Sequence, residues 1–497
     1  MSTHITLSPL DHIPPQNYVK IALYLPLKPS IKPEEAFEFL QQGLKRTFIH
    51  LPWLSGKVHW QQQDTPGWHP GQLEIRHGVV DQDSPAPYQL KMNKLDDDIE
   101  YEALKDSGFP IDEFEDHELL WAPFLADVEN GAEVFVAQAN FMVGGCIISM
   151  STCHAASDGT AMVTIFKLWA SYCKSPGTSK QGQTNSNLLL SPQSSDRGIL
   201  DELWIKDGRG RPVSEMDAEA WPMIGLDPPT TSTATNGHSD DQGPPVPATA
   251  AMANSRASEK MKTGIFYISA ANFSKLGKQC IEEAGSTELS SNDVVTALIW
   301  RSLLKARATA KEANGQPSNT TEVADLEIAL DGRSEFSNDL PATYLGNVVF
   351  INRPTMPLST LTSHDTTLGQ VAKVIRKSAS SINHTTLMDA YSLLRDIPDY
   401  RMRKLRFTSV DGSSMLVTSA LSFSMQDICF GDGFFGNGGR PEAYRPLMSA
   451  FNSLFRISFI LPRESHGGIE FVVSLFEDEM DLLLEDEEFS KFAMQIS

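Results

Sequence analysis

The stretch that decides the fold spans residues 134–159 and reads VFVAQANFMVGGCIISMSTCHAASDG. Two apolar runs, Val134 to Val143 and Cys146 to Met150, flank Gly144 and Gly145, a pattern typical of a β-hairpin. Beyond this stretch the apolar residues return at helical spacing. The sequence therefore predicts two antiparallel strands, a polar turn and then a helix.

His154 stands where the second strand ends and just before the helix begins. Strand ends commonly carry chemistry because the sheet fixes the backbone while the end faces a cleft. A histidine, whose ordinary pKa is about 6.5, is suited to act as a general base. Asp158 can hold the turn through backbone amides or an arginine, and Gly159 permits an unusual backbone angle. The pattern H-x-x-x-D-G alone fits a structural role equally well, and its place between strand and helix favours a site.

Strands and helices alternate on both sides of this stretch, which predicts an α/β protein built of α+β layers. The predicted elements are strands at Val19–Leu27, Gly264–Ile268, Leu326–Leu330, Leu416–Phe423, Ile457–Leu461 and Ile469–Leu475, a helix from Lys32, a helix from Ser290 through Leu304, and an amphipathic acidic helix over Glu477–Glu488. Residues 176–262 are rich in Pro, Gly, Ser, Thr, Asn and Asp and predict a partly disordered linker. The chain thus divides into an N-terminal half, residues 1–175, and a C-terminal half, residues 263–497.

The charge of the chain excludes several classes of function. Its 63 acidic and 41 basic residues give a net charge of −22, which disfavours binding to nucleic acid or to anionic membranes. No apolar run reaches the length of a membrane span, and residues 1–18 do not resemble a secretory signal. The five cysteines show no C-x-x-C spacing and the histidines no zinc-ligand spacing. We expect a cytoplasmic protein without a metal.

Several motifs, in order along most of the chain, resemble those of the BAHD acyltransferase superfamily, and of its fungal branch, which includes trichothecene 3-O-acetyltransferases. The matching segments are Thr6-Leu7-Ser8-Pro9-Leu10-Asp11, Leu51–Val58, Gly144-Gly145 with Cys153–Gly159, Ser291–Arg301, Asp331-Gly332-Arg333-Ser334 with Tyr344-Leu345-Gly346-Asn347, and Gly467–Glu470 with Glu479-Met480. The resemblance implies two chloramphenicol-acetyltransferase-like domains, each with a mixed β-sheet. A long crossover would join them, with a channel between the two domains.

The resemblance also implies a reaction. Acyl-CoA, with acetyl-CoA as the default donor, would enter the channel from one face and a small hydroxylated acceptor from the other. His154 would remove the proton from the acceptor as it attacks the thioester, within a ternary complex. Asp158 would be structural and would pair with an arginine, for which Arg301 is the aligned candidate. Thr418 would stand near the oxyanion. A monomer is expected, because one chain completes the channel.

Two departures from the family pattern affect the rest of the site. Ala420 stands where the family often has a tryptophan. The D-F-G-W-G segment, whose aspartate is thought to pair with the arginine of D-G-R, here Arg333, is replaced by Cys429-Phe430-Gly431-Asp432-Gly433. A shift of register would put Asp432 in the role of that aspartate. Arg440, Arg445 and Asn347 are the candidates for binding coenzyme A, and surface positions explain the two arginines at least as well.

Three alternatives to a CoA-dependent acyltransferase that uses His154 as its base remain. Cys153 could be a nucleophile, but neighbours on a strand face opposite sides, which places its thiol toward the core. The acyl group could arrive on a carrier protein, although the second histidine usual in such enzymes is replaced by Cys153. The chain could also be a repurposed member that binds or cyclises a metabolite without acylating it.

Overall fold

The structure, a computed structural model, describes residues 2–96, 98–174, 190–226, 259, 261–316, 321–402, 410, 412–454 and 456–497. Most of the predicted crossover, residues 176–262, therefore lies outside the described residues. The described part from 190 to 226 contains a helix and several single turns of 3₁₀ helix.

The described strands and helices alternate along both halves. The strands are β1 (Thr3–Thr6), β2 (Ile21–Pro26), β3 (Lys57–Trp60), β4 (Leu73–His77), β5 (Leu90–Lys94), β6 (Ala132–Glu133), β7 (Phe135–Met142), β8 (Gly145–Thr152), β9 (Lys262–Ile268), β10 (Val323–Asp331), β11 (Val349–Asn352), β12 (Thr355–Pro357), β13 (Met415–Ser419), β14 (Ala443–Pro446), β15 (Ile457–Ile460), β16 (Ile469–Leu475) and β17 (Met494–Gln495). The helices are α1 (Pro33–His50), α2 (Tyr101–Asp106), α3 (Asp116–Leu119), α4 (Gly159–Lys174), α5 (Ile199–Lys206), α6 (Ala270–Ala284), α7 (Ser291–Ala313), α8 (Arg333–Phe336), α9 (Leu358–Thr362), α10 (Leu368–Ser380), α11 (His384–Asp396), α12 (Glu477–Glu485) and α13 (Glu487–Ser490).

Each half is built around a mixed β-sheet. The N-terminal half holds a five-stranded sheet of order β14-β2-β8-β7-β5 and a smaller sheet of order β1-β4-β3-β6. The C-terminal half holds an eight-stranded sheet of order β11-β10-β13-β15-β16-β9-β17, with β12 beside β10. Parallel pairs occur in both large sheets: β5 with β7 in the first, and β10 with β13 and β13 with β15 in the second. The predicted layering of mixed sheets and helices is confirmed.

The decisive hairpin forms as predicted. β7 and β8 pair in antiparallel register from Phe135 opposite Thr152 to Met142 opposite Gly145. Gly144 adopts a φ of 78°, which favours glycine in the tight turn. Both strands are buried along their whole length, so the hairpin is a rigid support for the turn that follows it.

Two predicted elements are shorter than expected. The strand predicted over Leu416–Phe423 ends at Ser419, because the chain then turns back and the amide of Phe423 donates to the carbonyl of Ala420. The acidic run Glu477–Glu488 forms two helices instead of one. Asp486 separates them and caps the second, accepting a hydrogen bond from the amide of Phe489.

Part of the described crossover packs into the protein, although most of residues 205–219 are exposed. Ile199 and Leu200 of α5 belong to a buried apolar cluster that also contains Phe336, Tyr344 and Tyr391 of the C-terminal half. Its composition predicted a linker, since polar residues surround a few apolar positions. Several of those apolar positions are buried, whereas Ile205 and Val213 are exposed.

β14 joins the two halves of the chain. It comes from the C-terminal half, yet it pairs with β2 at the edge of the N-terminal sheet, with Arg445 opposite Ala22. Sheet membership therefore does not follow the predicted division at residues 176–262. Arg445 itself is 3% exposed and donates to Glu470 at 2.7 Å and to the carbonyls of Gly108 and Phe109. The proposed contact of Arg445 with coenzyme A phosphates is wrong, because its guanidinium is already used inside the protein.

Among the helices that the structure describes, none is both long enough and apolar enough to cross a lipid bilayer.

Replacing Arg445 with methionine should destabilise the protein. Glu470, which is largely buried, would lose its cation, and removing one partner of a buried pair costs about 3–5 kcal/mol. The midpoint of urea unfolding should fall accordingly. Arg440→Met is the matched control, since Arg440 is exposed and its guanidinium donates to the backbone carbonyl of Gln426. Equal midpoints for the two variants would contradict the structural role of Arg445.

Candidate active site

A cavity of about 370 Å³ lies where the two halves meet. Both large sheets contribute to its wall, and so does the crossover through Pro222 and Gly225. His154 and Thr418, which are far apart in the sequence, line this same cavity. The structure therefore brings together two of the residues that the sequence predicted for one site.

His154 is the second residue after β8 and lies in the turn that follows this strand. Its side chain is partly exposed toward the cavity. Its Nδ1 atom is buried and has no hydrogen-bond partner among the described residues. Burial lowers the pKa of His154 from its ordinary value of 6.5, because the cationic form loses solvation, while nearby backbone carbonyls and the Asp158 carboxylate act in the opposite direction. The imidazole is thus held in its neutral form near pH 7, as a general base requires.

Asp158 fixes the turn that carries His154. Its Oδ1 accepts from the amide of Ala161, in the first turn of α4, and from Nη2 of Arg333, both at 2.9 Å. Its Oδ2 accepts from the amide of Val348 at 2.9 Å. Both oxygens are occupied and the side chain is 2% exposed, so Asp158 is a structural anchor and not a free carboxylate.

The arginine that pairs with Asp158 is Arg333, not Arg301 as expected. Although burial opposes it, the carboxylates of Asp158 and Asp331 raise the pKa of Arg333 above its ordinary value. Arg333 also donates to the carbonyls of Tyr344 and Gly346. Arg301 points elsewhere, since α7 directs its guanidinium to Glu488 and to the carbonyls of Leu361 and Ser363.

A second buried set of bonds supports the same turn from the other side. Asp11 accepts from Nδ2 and the backbone amide of Asn347, both at 2.9 Å, and from Arg197 at 3.2 Å. Asn347 also donates to the carbonyl of His154 at 3.0 Å, and Arg197 to the carbonyl of Ala156 at 2.7 Å. The N-terminus, the crossover and the C-terminal half thus all hold the segment that carries His154. Asn347, a candidate for binding coenzyme A, is fully buried here, and its side-chain amide holds the turn that carries His154.

The cavity-facing side of the C-terminal sheet follows the alternation of its strands. Thr418 of β13 lies beside Phe459 of β15 in the parallel register, and both line the cavity. Ala420 follows just after β13 and also lines it. The hydroxyl of Thr418 therefore belongs to the same cavity as His154.

Sequence models of known families match most of the chain. The model described as Transferase family matches residues 113–490, and the model of the Trichothecene 3-O-acetyltransferase-like N-terminal domain matches residues 17–173. The chain belongs to the Transferase family, whose members are acyltransferases of the BAHD type. The predicted resemblance is confirmed.

Two curated relatives within this family cover nearly all of the chain. It is 29% identical over 99% of its length to the isocyanide synthase-NRPS hybrid crmA of Aspergillus fumigatus, of which the chain spans only 31%. It is 25% identical to the eremophilane O-acetyltransferase ORF8 of Penicillium roqueforti, with 99% of both chains covered. The family fold thus occurs both as a separate chain and as one segment of a much longer protein.

The crystal structure of TRI101 of F. sporotrichioides, complexed with coenzyme A and T-2, has the same fold. The two superpose with a TM-score of 0.71 over 100% of both chains, at 21% sequence identity. The predicted architecture of two related domains is therefore confirmed as the fold of this family.

The segment that replaces the D-F-G-W-G motif of the family lies away from Arg333. Asp432 is exposed, and its backbone carbonyl accepts a hydrogen bond from Lys28. The predicted pairing of Asp432 with Arg333 is wrong, because Asp158 and Asp331 occupy that guanidinium. Arg440 is likewise exposed. The segment instead forms a loop of its own, in which the amide of Phe430 donates to the carbonyl of Gly439.

Cys153, the alternative nucleophile, is buried in the apolar core of the N-terminal half. Burial raises the pKa of its thiol to about 12, because a thiolate there would be desolvated. The predicted orientation toward the core is confirmed, and a thiol nucleophile is excluded at this position.

Sequence reasoning missed three residues of the site. Arg197 lies within the stretch whose composition predicted a linker. Glu327 and Asn292 both line the cavity, and the buried Oδ1 atom of Asn292 has no hydrogen-bond partner in the described part of the chain. A signal existed for Glu327, since it is the one charged residue within the run Leu326–Leu330 that predicted a buried strand.

Replacing Arg197 with methionine should loosen the turn around His154. The carbonyl of Ala156 and the carboxylate of Asp11 would lose a charged donor, so amide exchange across residues 153–160 should accelerate by about tenfold or more. Hydrogen–deuterium exchange read by mass spectrometry measures this. Arg209→Met, an exposed arginine of the same crossover, should leave that segment unchanged. Unaltered exchange in Arg197→Met would show that the crossover does not hold the turn.

Proposed function

We propose that the protein is a CoA-dependent O-acyltransferase that transfers an acyl group, acetyl by default, to a hydroxyl of a small secondary metabolite. The observation that carries the proposal is the shared cavity between the two halves, which is lined both by a neutral histidine and by a threonine hydroxyl. Relatives support it, since the eremophilane enzyme is named as an O-acetyltransferase and TRI101 was crystallised with coenzyme A.

The proposed mechanism is a direct transfer in a ternary complex. Because Nδ1 of His154 is buried, Nε2 is the nitrogen that receives the proton of the acceptor hydroxyl. The hydroxyl oxygen attacks the thioester carbonyl, and Thr418 donates to the oxyanion that forms. When the C–S bond breaks, the proton on His154 passes to the CoA sulfur. Ester and free thiol leave, and His154 is neutral again.

The cavity also bears on the kind of acceptor and on assembly. Most of its lining residues are apolar, as suits a hydrophobic metabolite. A single chain supplies the wall from both halves and the crossover, so we propose that a monomer in the cytosol is sufficient for activity.

A donor carried on a protein is the second candidate. A carrier-bound donor is favoured because 99% of this chain aligns, at 29% identity, with a segment of an NRPS hybrid. Peptide synthetases present their substrates on carrier domains. Acetyl-CoA and the same acyl group on an isolated carrier domain, offered in parallel with one acceptor panel, separate the two donors. The first candidate requires turnover with acetyl-CoA alone.

Replacing His154 with alanine should abolish acceptor-dependent release of CoA thiol. Loss of a positioned general base lowers the rate by about 10²–10⁴-fold. The assay follows free thiol with acetyl-CoA and a panel of hydroxylated fungal metabolites. His117→Ala is the matched control, since His117 is exposed and lies outside the cavity.

Two results would contradict the proposed role of His154. Unchanged turnover in His154→Ala would remove it from the chemistry. Absence of turnover in the wild type with every acceptor, together with no shift of the melting temperature by CoA, would reject coenzyme A as the donor carrier.

The pH profile should have its acidic limb below pH 6.5. Burial lowers the pKa of His154, so the base remains neutral at pH 6.5 and loses activity only as the pH falls further and the imidazole is protonated. The dependence of kcat/KM on pH measures that limb in the free enzyme. An inflection above 6.5 would contradict a desolvated His154 as the base.

A further inference from the structure

Glu327 is a carboxylate in the wall of the cavity that the proposed mechanism does not use. It lies on β10 beside Leu416 of β13, which lies in turn beside Ile457 of β15, and all three line the cavity. This row of side chains is one step along the sheet from the row that contains Thr418. Two residues of strand separate the rows, which corresponds to about 7 Å.

The other acids and the histidine around the cavity are accounted for, and burial raises the pKa of the Tyr444 hydroxyl, which keeps it neutral. Asp158 and Asp331 are bonded to Arg333, and Asp331 also accepts from the hydroxyl of Thr160 at 2.8 Å. His154 is the proposed base. Glu327 remains, and among the described residues its carboxylate accepts no hydrogen bond.

The charge of Glu327 is incompletely balanced. Nε of Arg353 lies 3.7 Å from its Oε1, beyond hydrogen-bond distance, and that Nε has no hydrogen-bond partner among the described residues. The same guanidinium is shared with Asp325, whose Oδ2 lies 3.8 Å from Nη2. Two carboxylates thus face one cation, so among the described residues the three groups carry one net negative charge when both acids are ionised.

Keeping the Glu327 carboxylate charged at this position costs free energy when no ligand is bound. Glu327 is 8% exposed, and burial raises its pKa because the charged form is desolvated between apolar neighbours. A ligand that brings a positive charge and an N–H donor would satisfy the carboxylate, whereas a purely apolar ligand would leave it buried and unpaired.

We infer that Glu327 is a specificity-determining residue that binds a protonated amine on the acceptor, at the end of the cavity away from the reacting hydroxyl. This rests on the proposed function only in naming the ligand as the acceptor. The chemical class that follows is an amino alcohol or alkaloid-like metabolite with a basic nitrogen several bonds from the hydroxyl that is acylated.

A pair of isosteric alcohols tests the inference by binding, without turnover. The probes are 4-(dimethylamino)butan-1-ol, which is cationic at pH 7.5, and 5-methylhexan-1-ol, in which a carbon replaces the nitrogen. Isothermal titration calorimetry of the wild type should show the amine binding at least about tenfold more tightly. The isosteric variant Glu327→Gln should lose that preference. Glu312→Gln, an exposed glutamate on α7, should keep it.

Each other outcome overturns the inference. No preference in the wild type, including failure of both probes to bind, would show that the carboxylate does not recognise an amine, whether or not the variant folds. A preference retained in Glu327→Gln would assign the amine to another group. Weaker binding of CoA to Glu327→Gln would place the carboxylate on the donor side.

The proposed function fails in a different way. If acetyl-CoA gives no turnover with any acceptor while the wild type still prefers the amine, the acyl transfer is wrong and the amine site stands.

Discussion

The site depends on the buried contact between Asp158 and Arg333. The carboxylate joins three parts of the chain, since it accepts from the start of α4, from the segment before β11 and from the arginine that follows β10. Both side chains are almost inaccessible to solvent, so neither charge has water as an alternative partner. These bonds fix the turn after β8 relative to the C-terminal sheet. The position of the turn in turn fixes where His154 and Thr418 lie in the shared cavity.

The cavity is therefore a property of how the halves are joined rather than of either half alone. The N-terminal hairpin supplies His154, the proposed base, the C-terminal sheet supplies the hydroxyl of Thr418, and Arg197 ties the crossover to the turn that carries His154. Because rigid strands hold most of these groups, the mutual geometry of the site is set before a substrate enters. Burial around His154 favours its neutral imidazole, and Nδ1 has no hydrogen-bond partner within the described ranges.

The sequence was sufficient for what depends on local pattern. Alternation and turn residues predicted the hairpin and the helix after it, and motif order predicted the family. It failed where a pairing depends on distance in space: Arg301 and Arg333 are both buried arginines in recognisable motifs, and only the packing of α7 against Glu488 shows which one is free to reach Asp158. Arg445 likewise appeared to be a surface cation because its partner, Glu470, lies on another strand. The structural role of Arg197 was not predicted, because the polar composition of the residues around it indicated a linker.

The pairing of β14 with β2 has a consequence for synthesis on the ribosome. β8, the other neighbour of β2, is complete by Thr152, but the strand that covers the free edge of β2 begins at Ala443, roughly 290 residues later. At a translation rate of about 5–20 residues per second, the edge stays open for about 15–60 seconds. An uncovered strand edge is a template for pairing with other chains. Until β14 has been synthesised, the nascent N-terminal half therefore needs a chaperone that covers this edge, or a low rate of collision with other nascent chains.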